Sequence, residues 1–189
     1  MRTSKAFMLL LATLAVAPLP LQAQGVGRPF EFGLDAAAQF GLGDNSYTLI
    51  VLPAQRARVG YEFNNSASFE PFAGFTYFNI SGASTMALDL GAGLLFYISG
   101  TNTVAPTTMA ATVSRIYLRP FVLVQYQRAS GGGFTDSNTD FGFGGGVGLR
   151  QPIGSTHLAT RWEVSLQHVG GSSATTSLGL SVGLSFFTR

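Results

Sequence analysis

The sequence predicts an all-β protein, a closed eight-stranded antiparallel up-and-down transmembrane β-barrel. Three observations carry this. Segments of the chain alternate with period two, large apolar residues on one face and tiny or polar ones on the other. Charged residues make up only 11% of the chain, against roughly 25% in soluble domains. Beyond the first two dozen positions no stretch approaches the ~20 continuous apolar residues of a membrane helix. The last segment, Leu178 to Phe186, is the clearest case: Leu178, Leu180, Val182, Leu184 and Phe186 alternate with Gly179, Ser181, Gly183 and Ser185. A soluble sandwich would place long polar chains opposite the greasy face. Here that face has almost no volume, as expected where the greasy side meets lipid and the other looks into a narrow lumen.

The chain has 189 residues. Its start reads as an export signal over 1–23. Arg2 and Lys5 form a positive region, and Ala6 to Ala17 an apolar one too short to span a bilayer. Pro18 and Pro20 follow, with a small residue, Ala23, at the expected cleavage point. Residues 24–189 then form one barrel domain. Of eleven Lys and Arg, Arg2 and Lys5 fall in the signal; the remaining nine are matched by nine Asp and Glu, so the mature net charge is zero. The high pI therefore implies no nucleic-acid partner. The chain has no cysteine, hence no disulfide framework and no thiolate metal site.

Eight segments show the alternation. The first, Phe30 to Phe40, has Phe30, Phe32, Leu34, Ala36, Ala38 and Phe40 outward, with Glu31, Gly33, Asp35 and Gln39 inward. The second, from about Tyr47 to Phe63, has Val59, Tyr61 and Phe63 outward and Arg56, Arg58, Gly60 and Glu62 inward; Pro53 predicts an irregularity because proline lacks a ladder donor. The third, Phe69 to about Phe78, places Glu70, Gly74 and Thr76 inward. The fourth, Met86 to Ile98, opposes Leu88, Leu90, Ala92, Leu94 and Phe96 to Asp89, Gly91 and Gly93.

The fifth, Arg115 to Gln127, points Arg115, Tyr117, Arg119, Gln125 and Gln127 inward. The sixth, Phe141 to Arg150, sets Gly142, Gly144, Gly146 and Gly148 inward. The seventh, Leu158 to His168, opposes Thr160, Trp162, Val164 and Leu166 to Arg161, Glu163, Ser165 and Gln167. The eighth is the terminal segment. Clusters of turn-forming residues separate them: Gly41–Ser46, Asn64–Ser68, Asn79–Thr85, Ser130–Thr139 and Gly170–Thr176. The longest connection is Ser99 to Ser114. In lipid every backbone donor and acceptor must be paired internally, so the first strand is expected to close on the eighth.

The sequence resembles the small outer-membrane β-barrel proteins of the OmpA-transmembrane and OmpX-like, opacity-protein type. The resemblance rests on the export signal, the eight alternating strands, and the stretches RVGYEF (Arg58–Phe63), FEPFAGF (Phe69–Phe75) and FGFGGGVGLR (Phe141–Arg150). The terminal SVGLSFF is similar to the assembly signal of such barrels, through Gly183, Phe186 and Phe187, although Thr188 and Arg189 follow it. The resemblance implies residence in the outer membrane of a Gram-negative envelope and two partners, outer-membrane lipids and the barrel assembly machinery. A periplasmic peptidoglycan-binding domain after the barrel is not expected.

Six acids and six arginines fall on the inward face: Glu31, Asp35, Glu62, Glu70, Asp89 and Glu163 against Arg56, Arg58, Arg115, Arg119, Arg150 and Arg161. An unpaired charge in a confined interior is costly, so these twelve are expected to pair. Matched signs predict a lumen plugged by salt bridges, since an ion-selective pore should carry one dominant sign. The inward glycines of the sixth segment look superficially like a phosphate loop. They repeat with period two inside a strand, whereas a nucleotide fingerprint needs a strand, a turn and then a helix. Their structural reading is room for the inward Tyr117, Phe121 and Leu123. Outward aromatics gather near both strand ends, as the two interfacial girdles of a membrane barrel do.

Catalysis would need a base, a nucleophile and a carboxylate together. The only histidines are His157, in a turn with Ser155 nearby, and His168, on the opposite face of its strand from Glu163. Two histidines on different connections are also weak grounds for a metal site. The chain is therefore expected to be no enzyme, to bind no cofactor, and to act as a monomer in a structural or surface-interaction role. A lipid-modifying outer-membrane enzyme is the main alternative, and a soluble lipocalin-like carrier the second.

Overall fold

A computed structural model of the chain describes residues 30–42, 48–64, 66–80, 83–98, 114–154, 157–171 and 174–188. The expected export signal over 1–23 lies outside the described residues. Eight strands form one closed barrel: β1 (Phe30–Leu42), β2 (Thr48–Asn64), β3 (Ala67–Ile80), β4 (Ala83–Tyr97), β5 (Arg115–Gly131), β6 (Phe134–Pro152), β7 (Leu158–Val169) and β8 (Thr175–Phe187). Each strand pairs antiparallel with its neighbours in sequence. β1 closes on β8 from Glu31–Phe187 to Leu42–Thr176. At the rim that carries both chain ends, Thr188 N donates to Phe30 O (2.9 Å), and Phe30 N donates to Thr188 Oγ1 (2.9 Å). Closure leaves the sheet no first or last strand, which is what hydrocarbon demands of a β-structure.

The alternation seen in the sequence sorts the side chains by face. Phe32, Leu34, Leu118, Val122, Val147, Trp162, Val164, Leu180 and Leu184 all lie exposed on the outside. Their intervening neighbours, Gly33, Asp35, Arg119, Phe121, Gly148 and Arg161 among them, are buried inside. The strands are also tilted. A hydrogen-bonded row runs Gly33, Arg58, Phe72, Gly91, Leu123, Gly142, Val169, Thr175 and arrives beside Leu42, far up the strand on which it began. Residues of one row therefore stand at different depths, and lumen neighbours come from different rows.

Between Asp35–Arg56 and Ala37–Val51 the β1–β2 register shifts, so that Leu52–Gln55 face the single residue Ala36. Pro53 falls within this irregularity, the kind of place where a residue without an N–H is tolerated. The strands otherwise run longer than the alternation alone indicates. The cluster Ser130–Thr139, expected as a loop, is a regular hairpin: β5 continues to Gly131, β6 starts at Phe134, and Gln127–Asn138, Ala129–Asp136 and Gly131–Phe134 face one another. Only Gly132 and Gly133 turn, with φ of 58° and 85°. Positive φ at both central positions gives the two-residue turn whose twist matches that of the strands. Likewise β3 reaches Ile80 and β4 begins at Ala83. The longest connection, between Ile98 and Ser114, joins strand ends at the same rim as the chain termini.

Candidate functional site

The lumen is filled in layers. Nearest the terminal rim, Phe187 turns inward and packs with Ala159. Arg150 lies over its ring at 4.9 Å and over Tyr97 at the same distance. From β6, Arg150 reaches across the lumen: Nη1 donates to Glu31 Oε2 of β1 (2.9 Å) and to Tyr97 Oη (3.0 Å), and Nη2 to Glu62 Oε1 of β2 (3.0 Å). Arg115 adds a looser bond to the same Glu62 oxygen at 3.4 Å and stacks on Tyr97.

The next layer is a continuous ion-pair web. Arg58 Nε donates to Asp35 Oδ2 (3.0 Å), Nη1 pairs with Glu31, and Nη2 donates to Ser185 Oγ (2.8 Å). Ser185 Oγ in turn donates to Glu31 Oε1 at 2.6 Å. Glu70 of β3 meets Arg161 of β7 in a two-pronged pair, and Arg58 approaches the same carboxylate at 3.5 Å. Arg161 Nη2 also donates to Glu163 Oε2 at 3.0 Å. Arg119 grips Glu163 through Nε at 2.9 Å. The Tyr117 hydroxyl accepts from Arg161 Nε (2.5 Å) and donates to Glu163 Oε2 (3.0 Å). Glu31, Glu70, Arg58, Arg119, Arg150 and Arg161 are all at most 3% exposed.

Forked guanidinium–carboxylate geometry suits this setting, because each arginine offers five fixed donors to several acceptors at once. A buried pair gains little over an apolar filling of the same shape. Its effect is that no member can leave without stranding its partners.

Above the web lies an apolar floor of Phe72, Phe121, Leu123 and Val169. Phe72 and Phe121 meet edge to face at 6.1 Å between centroids. The inward glycines of β6 create the space. Gly144 is the cross-strand partner of Phe121, Gly142 of Leu123 and Gly148 of Tyr117, and a Cβ on Gly144 would stand 2.5 Å from the Phe121 ring. Towards the far rim the lining is polar and open. Gln125 donates to Asp89 (2.9 Å) and Gln127 to Gln125 (2.6 Å).

Of the twelve inward charges, ten join the ion-pair web. Arg56 and Asp89 do not: Arg56 stacks on Phe72 at 4.9 Å and Asp89 is held by Gln125. Both stand on the far side of the web, flanking Gly74 on the same row. Tyr97, Ser68, Phe72 and Ser185 complete the filling, and no motif marked them. Their signal is parity: each falls on the inward step of its strand.

The ion pairs of the web are all made by arginines. His168 lies outside, against Phe143 (5.5 Å) and with Nδ1 at 3.0 Å from Thr176 Oγ1. His157 lies beyond the end of β6, where its carbonyl accepts from Phe187 N. Among the described residues, no group of three or more His, Asp or Glu converges as metal ligands. Of the C-terminal trio, Phe186 faces outward, Phe187 faces inward, and Gly183 lies against the Asp35 carboxylate where a Cβ would clash.

No protein-family model matches the chain, and no curated protein matches its sequence. Solved structures do share the fold. Neisserial surface protein A superposes with a TM-score of 0.60 at 17% identity, over 83% of this chain and 96% of that one. Ail, the attachment invasion locus protein of Yersinia pestis, gives 0.55 at 16%, over 85% and 99%. The N-terminal β-barrel domain of Pseudomonas aeruginosa OprF gives 0.51 at 13%, over 84% and 98%. The fold of this chain is that of the small eight-stranded outer-membrane β-barrels.

Proposed function

We propose that the chain is an integral outer-membrane protein with a structural or surface-contact role, closed to general solute flow. The observation that carries this is the buried web of ten charges from β1, β2, β3, β5, β6 and β7, capped by the Phe72–Phe121–Leu123 floor. Matched charges leave little net field for an ion, and interlocked side chains leave little width. The greasy exterior supports residence in lipid and argues against a lipocalin-like carrier, which needs an apolar lumen and a polar outside. The outward place of His168 argues against a lipid-modifying enzyme. In this reading the terminal rim is periplasmic, residues 1–23 direct export, the assembly machinery engages Gly183, Phe186 and Phe187, and the protein is a monomer among outer-membrane lipids. Ail and Neisserial surface protein A, whose names denote attachment and surface location, support surface contact at the far rim.

Planar-bilayer recording on the purified mature barrel tests the closed lumen. The expected result is no sustained conductance. Reproducible large open steps would overturn the reading.

A further inference from the structure

Ten of the twelve inward charges satisfy one another in the web, and the two left over have opposite signs. Arg56 of β2 and Asp89 of β4 are both cross-strand neighbours of Gly74 on β3. Two strand spacings put their backbones about 10 Å apart, and the glycine between them sends no side chain into the lumen. Among the described residues neither makes an ion pair. The Arg56 guanidinium lies over the Phe72 ring at 4.9 Å. Gln125 Nε2 donates to Asp89 Oδ1 at 2.9 Å, and Gln127 ties back Gln125. Asp89 Oδ2 has no partner among the described residues. Both charges stand on the far side of the web, over the floor that Phe72, Phe121 and Leu123 form.

The opposite wall carries an independent signal. Phe121, Gly144, Gln167 and Ser177 follow one another on one row. Rows climb from β1 to β8, so Gln167 of β7 and Ser177 of β8 stand above Phe121 although they share its row. The same climb brings Gln167 to about the depth of Asp89. Both residues fall on the inward step of their strands and are only 6% and 4% exposed. Neither side chain has a hydrogen-bond partner among the described residues. Buried polar groups are nearly always bonded, and below the floor Ser185, Ser68 and Tyr117 all are.

The mouth of the lumen is thus a cup with an apolar base, a cation and an anion on one wall, and an amide and a hydroxyl on the other. A simple anion drawn to Arg56 would be repelled by Asp89, and a simple cation drawn to Asp89 by Arg56. A ligand carrying both charges is attracted by both. We propose that this cup binds a small zwitterion of the α-amino-acid class, with its carboxylate on Arg56, its ammonium on Asp89 and an apolar side chain on the floor. Gln167 and Ser177 bond to the carboxylate from the opposite wall, in hydrogen bonds strengthened by its charge. Such binding goes beyond a structural or surface-contact role.

The test uses the mature barrel, isotope-labelled, in neutral phosphatidylcholine nanodiscs, with L-leucine as the probe. The side-chain amide resonance of Gln167 should shift saturably as leucine is added. Isocaproate lacks the ammonium and isoamylamine lacks the carboxylate; each should bind at least tenfold more weakly. Arg56→Gln and Asp89→Asn should each weaken leucine binding at least tenfold and leave heat-modifiable gel mobility intact, because neither residue belongs to the web. No saturable shift with leucine would overturn the proposal and leave Gln167 to solvent alone. Equal binding of isocaproate would make the cup a simple anion site, and equal binding of isoamylamine a simple cation site; either would overturn it. So would full leucine binding by Asp89→Asn. A conducting barrel that still binds leucine would overturn only the closed lumen, and a silent barrel that ignores it only this site.

Discussion

Tyr117 and Gly148 are cross-strand partners, and the Tyr117 ring and hydroxyl occupy the place a Cβ on residue 148 would take. The same hydroxyl ties Arg161 to Glu163. One absent side chain thus fixes the position of a hydrogen-bond hub. Gly148→Ala should destabilise the barrel by about 1–3 kcal/mol, as overpacking does, because the Trp162 carbonyl also crowds the site at 2.7 Å. Tyr117→Phe removes the colliding oxygen. Urea unfolding in detergent micelles should find the double variant less destabilised than the sum of the two singles. Strict additivity would show that the contact does not matter.

Glu70 faces Arg161, Arg58 and Arg119 at once. Glu70→Ala strands buried guanidiniums and should cost about 3–5 kcal/mol. Pairing it with Arg161→Met should recover part of that loss. The comparison is the urea midpoint of the three variants, and a Glu70→Ala midpoint equal to the parent would refute the web as a structural unit.

Arg58 serves Asp35, Glu31 and Ser185 with different nitrogens. Lysine keeps the charge but has one point donor in place of the fork. Arg58→Lys should therefore lose about 2–3 kcal/mol, the scale of a charged hydrogen bond. Unfolding equilibria read the loss directly, and a silent substitution would mean that charge alone matters there.

Val182 and Ser181 are sequence neighbours on opposite faces of β8, Val182 exposed outward. Val182→Arg places a guanidinium in hydrocarbon, at about 2–4 kcal/mol near the midplane. Ser181→Thr, facing the lumen, should be mild. Folding yield into lipid vesicles distinguishes them, and a reversed order would invert the face assignment.

The strand count and the two faces were legible in the chain because lipid and lumen impose opposite chemistry on successive residues. Leu180 and Ser181 differ for that reason alone. The rule fails where lipid ends. Ser130–Thr139 lacks the greasy alternate and reads as a loop, yet Gly132 and Gly133 fold it into a hairpin.

What the sequence by itself determined is the barrel: eight alternating segments, inward charges matched in number, and glycines spaced to admit bulky neighbours. Which charge meets which was decided only by the tertiary structure. Glu70 finds Arg161, and Arg150 finds both Glu31 and Glu62, because strand tilt brings different rows to one depth across the lumen. The same geometry leaves Arg56 and Asp89 outside the web, one on Phe72 and the other on Gln125. Alternation assigns a side chain to a face, but depth depends on the closure of the whole sheet, a property no single segment carries.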